Sequence, residues 1–153
     1  MKKKFISFLL AVLLLSSVSA VFAWADGAAI SVSTAADART GEEVSLSVNL
    51  DANPGIAGIN VTVVYDTERL SLISCEPTGF SGGLWNVNGN RAMWANTKDS
   101  TYTGPILNLK FKVLDKAPVG KAAVTVTYRV GDICNAALED VNPTITAGGV
   151  TIV

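Results

Sequence analysis

Few residues in this 153-residue chain have the type and spacing for chemistry. There is no histidine, which removes the commonest general base and the commonest metal ligand. Cys75 and Cys134 lie 59 positions apart and offer no zinc-type pairing. None of the serines sits in G-x-S-x-G. Glycoside hydrolysis needs two carboxyl groups facing each other across a substrate. Glu42 and Glu43 are neighbours at the start of an alternating run, so they point to opposite sides. Asp132, Glu139 and Asp140 share one loop, and oxygen ligands on an irregular loop suit calcium. The D-x-[DN]-x-[DN]-G pattern is missing, however, and no metal is assigned. Gly79, Gly82, Gly83, Gly148 and Gly149 do not form a phosphate-binding loop and read as turns or bulges. These residues predict a protein that is not an enzyme and holds no cofactor.

The aromatic residues suggest a different function. Trp85, Trp94 and Tyr102 could stack sugar rings if they were exposed and coplanar, as in a carbohydrate-binding module. Trp85 and Trp94 fall on the same side of their strands, opposite the polar Asn86 and Arg91. A tryptophan pair beside Val87 and Ala92 reads more readily as core. Polysaccharide binding is therefore the alternative function.

The elements that must position these residues are strands. In Ile56–Tyr65, Ile59, Val61, Val63 and Tyr65 project to one side, and Asn60, Thr62 and Val64 to the other. A period of two marks a strand with one buried face. The same alternation runs through Ile30–Val32, Val44–Leu50, Leu107–Val113, Val124–Val130 and Val150–Ile152. Gly, Pro, Asn and Asp punctuate the runs, and no helical period is sustained. The pattern predicts an all-β sandwich of about nine strands. Asn88-Gly89 predicts a type I′ hairpin that sets Trp85 beside Ala92 and Leu84 beside Met93. Asp132–Pro143 is the longest irregular stretch, with Ala136–Leu138 expected to form a short helical turn.

Residues 1–25 read as a signal peptide. Lys2–Lys4 precede the apolar Phe5–Leu15, and Ala23-Trp24-Ala25 offers a cleavage site, with earlier cuts after Ala20 or Ala23 as alternatives. The apolar stretch is shorter than the ~20 residues a membrane span needs. The expected product is a secreted domain, 26–153, with no membrane association after cleavage. Losing the three lysines leaves nine basic and thirteen acidic residues. With no basic run, nucleic acid is a poor partner. Export would permit a Cys75–Cys134 disulfide, but two free thiols are favoured.

In order, the strand IAGINVTVVYD, the following LSLIS, the hairpin with RAMWAN, the strand ILNLKFKV, the turn KAPVG leading into AAVTVTYRV, and the closing AGGVTIV resemble a cohesin domain. The resemblance spans about Ile30 to Val153. It implies a nine-stranded, jelly-roll-like sandwich that is expected to be monomeric alone. Its implied function is non-catalytic docking of dockerin-bearing secreted enzymes or scaffold proteins of polysaccharide breakdown, in a cellulosome-type assembly. Calcium would belong to the dockerin rather than to this chain. The docking positions implied are Gly58, Asn60, Thr62 and Val64; Leu84, Asn86, Arg91, Met93 and Ala95; Thr125, Thr127 and Arg129; and Leu138 in the loop before the last strand. Most of them lie opposite the core positions and mix polar with apolar groups, as an interface does. The family often carries an acid near Asn60, which is absent here and leaves the dockerin class open.

Overall fold

The computed structural model describes residues 27–153, so the segment expected to be a signal peptide, residues 1–25, lies outside the described residues. Twelve strands follow in order: β1 (Ala29–Val32), β2 (Thr34–Ala38), β3 (Glu43–Ala52), β4 (Ile56–Tyr65), β5 (Leu70–Pro77), β6 (Leu84–Asn88), β7 (Arg91–Ser100), β8 (Gly104–Val113), β9 (Gly120–Thr127), β10 (Ile133–Cys134), β11 (Thr144–Thr146) and β12 (Gly148–Ile152). One sheet runs β11-β1-β3-β8-β5; the other runs β2-β12-β9-β4-β7-β6, with β10 also on β4. The count exceeds nine for a simple reason. The first and last strands each break and change sheets, at Ser33 and Ala147, and the long loop adds β10.

Alternation places the core between the sheets. Leu46, Val48, Leu50, Leu107, Leu109, Phe111 and Val113 come from one sheet. Ile59, Val61, Val63, Ala92, Trp94, Val124, Val126, Val150 and Ile152 come from the other. Tyr65 is half-buried and meets Phe111 edge-on, with ring centroids 5.1 Å apart.

Three local expectations are corrected. First, Asn88 pairs with Arg91, so the hairpin loop is Gly89-Asn90. Trp85 therefore faces Trp94, and Leu84 faces Ala95. Gly89, with φ 59°, takes the first loop position, the glycine placement of a type II′ turn. Asn90 is spoken for by β4: it accepts from Val63 N–H (2.7 Å), and its Nδ2 donates to Val63 O (2.9 Å). A shift of two residues preserves sidedness, so the face assignments of the hairpin survive.

Second, β9 ends at Thr127 and Val130 is exposed. Beyond that point the edge of β4 is taken by β10, where Ile133 pairs with Ile59 and Cys134 with Gly58. Third, Ala136–Leu138 is a β-turn rather than a helical turn. Leu138 N–H donates to Asn135 O (3.0 Å), while Asn135 Oδ1 accepts from Ala137 and Glu139 N–H groups. An Asn that bonds its own backbone competes with helix in this way. Both cysteines are free and half-buried, Cys75 on β5 and Cys134 on β10.

Candidate functional site: the outer face of the β6-β7-β4-β9 sheet

Register turns scattered outward residues into rows. Leu84, Ala95, Gly58 and Cys134 form one row across β6, β7, β4 and β10. Asn86, Met93 and Asn60 form the next. Asn88, Arg91, Thr62 and Thr127 form the third, and Val64 beside Thr125 lies beyond it. All the positions implied by the resemblance lie on this face, except Arg129 and Leu138, which the adjoining loop supplies. Leu84 (82% exposed), Leu138 (83%), Val64 (46%) and Met93 (38%) are its open apolar groups. Gly58 is kept small by its neighbour, since a Cβ there would lie 3.1 Å from Cys134 Sγ.

A polar chain crosses the middle of the face. Arg91 Nε donates to Asn60 Oδ1 (2.9 Å), and Asn60 Nδ2 donates to Asp132 Oδ1 (2.9 Å). Asp132 Oδ2 accepts from the Arg129 N–H (2.8 Å), and the Asp132 N–H donates back to Arg129 O (2.9 Å). Asp132 thus ties the loop to the sheet and sets the direction of the Asn60 amide. On one side of this chain Asn60, Thr62, Arg91, Thr127, Tyr128, Arg129 and Asp132 line a polar groove of about 470 Å³. On the other, Gly58, Leu84, Met93 and Ala95 help line an apolar trough of about 360 Å³. Asn60 and Asp132 form the ridge common to both.

The loop that presents Leu138 is built, not slack. Ala136 N–H donates to Asp99 Oδ1 (2.6 Å) on β7, Asn135 Nδ2 donates to Glu139 Oε2 (2.8 Å), and Val141 N–H donates to Ile133 O (2.8 Å). Leu138 itself sits at φ 63°, the left-handed region that a branched side chain rarely occupies.

Other candidates fare differently. Asp132 already accepts from Asn60 on β4 and from the Arg129 N–H, and Glu139 from Asn135; among the described residues no group of three or more Cys, Asp or Glu is arranged to hold a metal. Among the described residues the aromatics form no sugar platform. Trp94 is buried, stacks on Phe80 (centroids 4.0 Å, 11°), and donates from Nε1 to Gly82 O (3.1 Å). Trp85 and Tyr102 are half-buried and tilt against the same Phe80. Sequence reasoning missed Phe80, and weighed Asp132 and Cys134 only for calcium and for a disulfide. Nothing local marks Asp132 as the partner of a residue 72 positions away.

Comparison with known proteins decides the family. The cohesin domain model matches residues 28–152. The chain belongs to the cohesin family. No curated protein sequence matches this cohesin. Among solved structures it is similar to the sixth cohesin of scaffoldin B from Acetivibrio cellulolyticus, solved with a Cel5 dockerin mutant (23% identity, TM-score 0.67, covering 83% of this chain and 99% of that one). It is also similar to a non-cellulosomal cohesin from the archaeon Archaeoglobus fulgidus (20%, 0.66, 83% and 91%). A third is the OlpA cohesin of Clostridium thermocellum, solved with the dockerin Doc918 (14%, 0.66, 84% and 100%). At these identities the likeness establishes the fold, a cohesin β-sandwich.

Proposed function

We propose that this cohesin is a secreted, non-catalytic docking module whose β6-β7-β4-β9 face binds a calcium-loaded dockerin on an enzyme or scaffold protein of polysaccharide breakdown. One observation carries the reading. The outward residues of four strands and one braced loop meet as a continuous face, with apolar groups at Leu84, Met93 and Leu138 around a polar centre at Asn60, Arg91 and Asp132. A few apolar anchors around directional polar groups are the anatomy of a specific protein interface. That two of the structural relatives were solved with dockerins supports the choice of partner. Among the described residues the carbohydrate-binding alternative has no exposed aromatic platform to support it.

The test is capture of secreted dockerin-bearing proteins on immobilised residues 26–153, with and without a calcium chelator. Capture is expected only with calcium, the metal being required by the dockerin. Met93→Asp should weaken binding at least ~30-fold, because a charge replaces a group in the apolar trough and hot-spot losses reach ~2 kcal/mol or more. Ser45→Asp, on the exposed face of β3 in the other sheet, should bind normally. Retention on insoluble polysaccharide with no calcium-dependent partner would overturn the reading.

A further inference from the structure

The charges on this face are unbalanced in a specific way. Arg91 and Arg129 are both exposed and both line the polar groove. Among the described residues neither guanidinium has a carboxylate within ion-pair distance, since the salt bridges are Arg69 with Asp66 and Lys110 with Glu43. Arg91 commits only Nε, to Asn60. An arginine carries five N–H donors, so most of this donor capacity remains open to the groove. The one carboxylate there, Asp132, already accepts at both oxygens, from Asn60 and from the Arg129 backbone. The groove is therefore locally cationic and rich in donors, although the whole chain carries a formal charge of −1.

We infer that the partner of this face presents a carboxylate, a Glu or Asp on an exposed helix, to the guanidiniums of Arg91 and Arg129, with an aliphatic side chain one helical turn away entering the trough beside Leu84 and Met93. The spacing follows from the shared ridge. Groove and trough meet at Asn60 and Asp132, so their two occupants are neighbours. On a helix, neighbours of this kind stand three or four residues apart. Guanidinium–carboxylate pairs are charge-assisted and often bidentate, whereas a lysine or arginine brought to the same groove would meet two like charges. This inference rests on the dockerin reading and adds the sign of the contact that selects among dockerins.

The test uses a yeast-displayed library of calcium-loaded dockerins with their outward helix positions randomised, sorted against residues 26–153. Wild-type protein should enrich Glu or Asp next to an aliphatic residue at i±3 or i±4. The double variant Arg91→Glu, Arg129→Glu should bind an enriched acidic clone at least ~10-fold more weakly and enrich Lys or Arg instead. Reversing the clone's acid to arginine should restore affinity for that variant. The neutral pair Arg91→Gln, Arg129→Gln keeps long polar side chains and should lose the acidic preference without gaining a basic one. It serves as the measurement if the double glutamate variant fails to fold by circular dichroism. Wild-type affinity for acidic clones should fall with added salt. Binders with no charge preference, or with a basic one, would overturn this inference and leave dockerin binding intact. Failure to enrich any dockerin would overturn the dockerin reading together with it.

Discussion

Replacing Leu138 with glycine should move stability and binding in opposite directions. Leu138 is 83% exposed and sits at φ 63° at the tip of a hydrogen-bonded loop. The left-handed conformation costs an L-residue roughly 1–2 kcal/mol, which glycine does not suffer. Glycine's greater freedom in the unfolded chain takes back roughly 0.5–1 kcal/mol. So little of the side chain is buried that its removal forfeits almost no packing. Leu138→Gly should thus leave stability unchanged or raise it by up to about 1.5 kcal/mol, a gain of several degrees in Tm at most.

Binding responds to what a partner would cover. Burying each carbon group is worth about 0.8 kcal/mol, and the four side-chain carbons of Leu138 are mostly exposed in the free protein, so their loss costs roughly 2.5 kcal/mol, about 70-fold in affinity. Leu138→Ala separates the two effects, because alanine keeps the strained φ and loses binding without the gain in stability. Calorimetric unfolding and titration with a captured dockerin read both quantities. If Leu138→Gly destabilises the domain by more than about 1 kcal/mol, the leucine serves the fold, and an unchanged affinity would remove it from the docking face. A strained residue persists only where its surroundings hold it, and here the surroundings are Asn135, Asp99 and Glu139, none of which needs a leucine at the tip.

Trp94→Ala should lower stability by about 4 kcal/mol, because the ring is buried, stacked on Phe80 and hydrogen-bonded to Gly82 O; the half-buried Trp85 should cost clearly less. A normal Tm in Trp94→Ala would show an exposed ring and reopen the sugar-binding alternative. The Arg69 guanidinium, 2.7 Å from the carboxylate, holds Asp66 below the usual carboxylate range, against the opposing effect of burial. A depressed carboxyl stabilises the fold above its unfolded value and ceases to do so as pH falls through its folded one. The stability gap between wild type and Arg69→Ala should therefore be widest near neutrality and narrow below about pH 4, and a gap independent of pH would contradict the pairing. Burial raises the Cys75 thiol, so its alkylation by iodoacetamide in the native protein at pH 8 should be slower than that of a free cysteine, and rapid labelling would be the contrary result.

How much of this was legible in the chain depends on the range over which each feature is determined. Sidedness is local. The alternation in Ile56–Tyr65 places Ile59, Val61 and Val63 inward and Asn60 and Thr62 outward whatever the strand pairs with, and the burial agrees at each of them. Register is less local. The Asn88-Gly89 signal located the hairpin but erred by two residues, because Asn90 is drawn into backbone bonding with Val63, 27 positions earlier. Loop chemistry is least local. Asp132 meets Asn60 and Asp99 meets Ala136 only after the sheet has formed, and no residue pattern near either one announces it.

The same hierarchy governs what the proposed docking face would select. Its apolar anchors and its outward strand positions follow from sidedness, so a cohesin with a similar strand pattern would present a similar surface. Its charge is shared between β7, which supplies Arg91, and the loop, which supplies Arg129 and Asp132. Were Asp132 turned away from Asn60, that amide would lose its fixed direction, and the carboxylate could instead neutralise the guanidinium of Arg91 or Arg129. Because Asp132 is held by Asn60 Nδ2 and the Arg129 N–H, both arginine side chains stay available to a partner. On the proposed docking reading, this loop-to-sheet hydrogen bond is what keeps the two guanidiniums open to a partner's charge, while the apolar anchors supply the rest of the contact.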